Sequence, residues 1–122
     1  MQAQLEEEAR RIIESVSTYQ YWGTLDVTAS KKSPLYFLQG CLQGKSLSLG
    51  YNIGGAYMSP EEARFNITKI REHYHQLCEA STSFRDFVAD KEVIFEISVN
   101  SGHMSFIVAQ AKPEGEIKIF TK

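Results

Sequence analysis

Cysteine is scarce in this chain. Cys41 and Cys78 are its two cysteines, with no CxxC pair and no further ligand-type cysteine beside them, which excludes a disulfide-stapled scaffold and the zinc ribbons and knuckles. Two small, reduced, buried thiols in a cytoplasmic setting are the expectation. Long apolar runs are also missing, so nothing approaches the roughly 18 consecutive apolar residues of a membrane-spanning helix. The opening MQAQLEEEARRIIESV carries acids where an export signal needs a basic head and an apolar run, so no such signal is expected. Charge of one sign is lacking too. A net charge of -2 and a pI near 5.9 offer little attraction to a phosphate backbone, so nucleic acid is a poor partner and a basic protein surface is permitted.

The chain has 122 residues, 43% hydrophobic and 23% charged, enough to bury a core without metal or disulfide staples. One domain spanning 1–122 is expected. Leu5, Ala9, Ile12, Ile13 and Val16 form a helical stripe between Ala3 and about Thr18, and Glu6, Glu7, Glu8, Arg10, Arg11 and Glu14 fill the other side as a solvated face. Trp22–Thr28 alternates as a half-exposed strand. Leu35–Leu42 and Ser46–Ile53 read as strands joined by a turn at Gln43-Gly44-Lys45, with Leu47, Leu49, Tyr51 and Ile53 on one face.

The strongest local signal is Ser59-Pro60-Glu61-Glu62. Ser59 suits the N-cap, Pro60 the first helical position, and Glu62 closes a capping box. Ala63, Ile67, Ile70, Tyr74 and Leu77 follow at helical spacing, predicting a long helix to about Glu79. A short helix within Ser81–Ala89 brings Phe84, Phe87 and Val88 to one end of the core. Strands Glu92–Val99, His103–Ala111 and Glu116–Thr121 complete the chain, with Val93, Phe95, Ile97 and Val99 facing the core. The order α-βββ-α-(short α)-βββ predicts an α+β fold, an antiparallel sheet packed against two helices.

Few of the reactive side chains fall at spacings that chemistry would need. His73, His75 and Cys78 are the nearest to a metal set, but 73 and 75 lie on opposite sides of a helix, and His75 with Cys78 supplies only two ligands. Cys41 and His103 could meet across the sheet as a nucleophile and base, although Cys41 in a strand reads better as core. Glu92 and Glu96 share a strand face about 13 Å apart, too far for a glycosidase pair. Gly50-Tyr51-Asn52-Ile53-Gly54-Gly55 lacks the lysine of a P-loop and the third glycine of a dinucleotide fingerprint, and suits a backbone bend. Asn66-Ile67-Thr68 matches a glycosylation acceptor but sits inside a predicted helix.

What remains is surface. With Val93, Phe95, Ile97 and Val99 in the core, the other sheet face carries Glu92, Ile94 and Glu96, joined by residues such as Trp22, Asp26, Tyr36 or Tyr57. Acids mixed with aromatics suit an interaction surface, and a solvated face with scattered apolar residues is the plainer alternative.

Tyr21-Trp22-Gly23, Tyr36-Phe37-Leu38-Gln39-Gly40, Gly50–Gly55 ending in Met58-Ser59-Pro60-Glu61-Glu62, and Val93-Ile94-Phe95-Glu96-Ile97, with the chain's size, mild acidity and order of elements, resemble the small immunity proteins of bacterial toxin systems. These are the proteins paired with contact-dependent growth inhibition or other polymorphic toxins. The resemblance implies a cytoplasmic protein, not an enzyme and without cofactor or metal, that binds one cognate toxin domain, often a nuclease, and occludes its active site. It carries over no interface residues. On chemistry alone, Asp26, Glu92 and Glu96 are expected to imitate phosphates against a basic cleft, with Trp22 and Tyr57 as anchors; the chain itself is expected to be a monomer or homodimer. Two alternatives stand beside this reading. One is a secretion chaperone or other protein-binding module, the other a small enzyme or ligand binder with a pocket between sheet and helix lined by Tyr51, Tyr74, His75 and Cys41.

Overall fold

The computed structural model describes residues 2–18, 39–54 and 58–120. The expected strand Trp22–Thr28, the start of Leu35–Leu42, and Trp22, Asp26, Tyr36 and Tyr57 lie outside the described residues, as does the side chain of Ile53. Among the described residues the fold is α+β, with three helices on a five-stranded mixed sheet.

Helix α1, Gln2–Thr18, buries Ala9, Ile12 and Val16 along its stripe, with Leu5 and Ile13 partly buried at its margins. Its outer face holds exposed ion pairs of Arg10 with Glu7 and Glu14, and of Arg11 with Glu7 at 3.3 Å. Arg10, and then Arg11, hold the Glu7 carboxyl below its usual range. Glu8 departs from the expected solvated face: it turns inward and pairs with His73.

Strands β1, Gln39–Gln43, and β2, Ser46–Gly54, form a hairpin in which Gln43 pairs with Ser46. Only Gly44 and Lys45 connect them, and Gly44 takes φ 63°, the left-handed value that a tight two-residue turn demands at its first position. Helix α2, Pro60–Ala80, starts as expected: Glu62 N–H donates to Ser59 Oγ at 3.1 Å, and Ser59 N–H donates to Glu62 Oε1 at 3.3 Å. Its buried residues are the expected stripe Ala63, Ile67, Ile70, Tyr74 and Leu77. Ser81 then caps α3, Thr82–Val88, where Phe84 and Val88 are buried and Phe87 packs at the edge of the core.

Strand β3, Glu92–Ser101, pairs on one side with β2 and on the other with β4, Met104–Ala111. Strand β5, Ile117–Ile119, closes the order β1-β2-β3-β4-β5. The expectation of a wholly antiparallel sheet is corrected here, because β2 and β3 run parallel, with Ser46 opposite Glu92 and Gly54 opposite Asn100. Length explains the direction. The 21 residues of α2 span about 31 Å, close to the roughly 30 Å of the nine-residue β2. The helix therefore carries the chain back to where β2 began. Glu92 N–H donates to Lys45 C=O at 2.7 Å, and β3 sets off in the same sense.

Between β3 and β4 the register shifts: Ile97 faces Ala109 and Ser98 faces Ile107, leaving Val108 as the extra residue of a bulge. The core lies between one sheet face, with Leu47, Leu49, Tyr51, Val93, Phe95, Ile97 and Val99, and the stripes of the helices. Helix α1 contacts β1, and α2 contacts β3, β4 and β5.

Candidate functional site

Alternation along β2 and β3 places two sets of side chains on opposite faces. With 93, 95, 97 and 99 committed to the core, Glu92, Ile94, Glu96 and Ser98 project from the other side, as expected for Glu92 and Glu96. The registers extend this open face sideways. Ser48 lies beside Ile94, Gly50 beside Glu96, and Asn52 beside Ser98; across β4, Glu96 lies beside Gln110, which lies beside Lys118 of β5.

Gln110 Nε2 donates to Glu96 Oε2 at 2.9 Å, which fixes the carboxylate. Asn52 Nδ2 donates to Ser105 Oγ at 3.0 Å, while Asn52 Oδ1 is buried with no partner among the described residues. Ile94, Gln110, Lys112, Glu116 and Lys118 line a shallow depression at one end of the face. Exposed Ile107 lies at the other end, beside Ser98. The face is thus polar, mixed in charge and dotted with aliphatic side chains.

The residues considered for chemistry do not converge. His73 faces Glu8 of α1, with 18% and 12% of their side chains exposed. His75 sits over the β4–β5 turn, its Nε2 3.4 Å from the Pro113 carbonyl and 4.0 Å from Glu114. Cys78 is hydrogen-bonded to Tyr74, and burial pushes its thiol up. Among the described residues no three His, Cys, Asp or Glu side chains are grouped as a metal site would require.

Cys41 pairs with Ser48, on the face opposite Tyr51, so it does not join Tyr51, Tyr74 and His75 in one pocket. Tyr74 instead packs edge-on against Phe84 and Phe95 within the core. His103 lies in the β3–β4 turn, eight residues along from the level of Ile94 and Cys41, about 26 Å by the strand rise. Cys41 and His103 are not a couple. Asn66-Ile67-Thr68 is helical, with Ile67 buried and Thr68 Oγ1 donating to the Arg64 carbonyl at 2.7 Å.

Gln110 and Lys118 were not singled out from sequence. The available signal was their alternation with Ala109, Ala111, Ile117 and Ile119, which turn to the core. Gly50 also gains a sharper explanation than a bend before the helix. It lies within β2, where a Cβ would overlap the backbone carbonyl oxygen of Glu96, so only glycine allows this approach of the two strands. No helix of the described residues is long and apolar enough to cross a membrane.

No family model, curated protein or solved structure matches this chain.

Proposed function

We propose that this chain is a protein-binding protein that presents the open face of its sheet to its partner, and that the partner is a toxin domain which it neutralises by occlusion. One observation carries the reading: the described helices all pack on one face, leaving Glu92, Ile94 and Glu96 on the other, on a strand hydrogen-bonded on both sides. A rigid sheet loses little entropy on binding. Its carboxylates, one of them held in place by Gln110, suit a basic cleft, and Ile94 and Ile107 supply apolar contact. The toxin identity rests on the resemblance to immunity proteins, and with it the assignments of cytoplasmic location and of a non-enzymatic role.

The test joins capture to titration. A tagged chain is used to recover a toxin domain from a bacterial host, the domain is purified, and affinity is measured for the wild type and for Glu92→Lys/Glu96→Lys. We expect the double reversal to weaken binding at least about 100-fold and to abolish protection of cells expressing the toxin. Unchanged affinity would remove the open face from the interface. Failure to protect against any captured domain would remove the immunity reading.

A further inference from the structure

The outer edge of β5 is self-complementary, and we propose that it pairs two copies of this chain into an antiparallel β5–β5 dimer centred on Ile117. The inference is independent of the toxin reading.

Backbone direction comes first. Phe120 N–H donates to the Val108 carbonyl at 2.9 Å, in register with the pairing of Ile119 to Ala109. Residues 118 and 120 therefore turn their backbone groups towards β4, and 117 and 119 turn theirs away from it. Among the described residues no strand takes up that outer edge. The Ile117 N–H and C=O are thus positioned to exchange both hydrogen bonds with a partner strand.

Charge selects the same axis. Glu116 and Lys118 flank Ile117, both are exposed, and neither forms an ion pair among the described residues. Alternation puts both on the open side of the sheet. An antiparallel pairing centred on Ile117 sets each Glu116 opposite the partner's Lys118, twice by symmetry. Centred on Lys118 instead, it would oppose two lysines and present no outward backbone groups at the axis. Hydrogen-bond direction and charge order, which are separate features, agree on one register.

The exposed ring of Phe120, 55% accessible, extends the same row. A lysine and a short length usually protect an edge strand from pairing. Here the neighbouring glutamate turns that lysine from a block into a selector for one arrangement.

Sedimentation equilibrium over a concentration series tests the proposal. The wild type is expected to move from 13.8 kDa towards twice that mass as concentration rises. Lys118→Glu, at an exposed position that leaves the fold intact by circular dichroism, is expected to weaken dimerisation about tenfold or more, since both cross-strand pairs become repulsive. Glu116→Lys should do the same. The double exchange Glu116→Lys/Lys118→Glu restores opposite charges in the same register and should recover the wild-type constant to within about threefold. A wild type that stays monomeric at its highest soluble concentration overturns the proposal. So does a dimer indifferent to Lys118→Glu, or one that the double exchange fails to rescue.

Discussion

Two positions show how single atoms set the limits of this fold. At Gly50 the added methyl of alanine would meet the Glu96 carbonyl, part of the backbone of the central strand, which cannot give way as a side-chain tip could. We expect Gly50→Ala to cost about 2–3 kcal/mol in urea unfolding. A loss under about 0.5 kcal/mol would show that the strands do not approach so closely. At Tyr74 the physics is of charge. Burial, reinforced by Cys78, raises the phenol well above its ordinary value of 10.0. The unfolded chain therefore loses this proton first. Stability from this group is full below about pH 10 and declines above it, by at most about 1.4 kcal/mol per pH unit. Tyr74→Phe should flatten that alkaline decline, while costing about 1 kcal/mol near neutrality through the lost hydrogen bond. An unchanged alkaline slope in the variant would place the titration elsewhere.

At the scale of elements, legibility followed sequence distance. The capping box and stripe of α2 were readable because their determinants lie three and four residues apart, and the core face of β3 because its period is two. The parallel pairing of β2 with β3 was not readable: alternation says which residues share a face but nothing about the direction of the neighbour. It depends on how far α2 carries the chain. The partner of Glu8 was hidden for the same reason, since His73 is 65 residues away and a glutamate within a charged run reads as solvated. This pair ties α1 to α2 beside the apolar contacts of Ala9, Ile12 and Val16. A double-mutant cycle with Glu8→Gln and His73→Gln should give a coupling of about 1–2 kcal/mol. The exposed pair Lys69–Glu72, treated the same way, should give under about 0.5 kcal/mol. Equal couplings would mean that the α1–α2 junction is as wet as the surface.

Over the whole molecule the decisive feature is the asymmetry of the sheet, whose two faces carry different demands on the same strands. Residues 93, 95, 97 and 99 hold the helices on, and residues 92, 94 and 96 alternate with them without contributing to that layer. Part of the candidate site was therefore legible: Glu92 and Glu96 followed from period two. Gln110 and Lys118 required the β3–β4–β5 registers, and Trp22, Asp26 and Tyr57 lie outside the described residues. The asymmetry makes a quantitative contrast within one strand. Phe95→Ala should cost about 3–5 kcal/mol, because it empties a fully buried site against Tyr74. Glu92→Lys, one strand position from buried Val93, should change stability by no more than about 0.5 kcal/mol. Urea titrations of the two variants with unchanged m-values would establish that charge can be rewritten on the open face without disturbing the core, as the proposed binding surface requires. If Glu92→Lys instead destabilised the chain by several kcal/mol, the carboxylate would belong to the architecture, and the open face would lose its freedom to be matched to a partner.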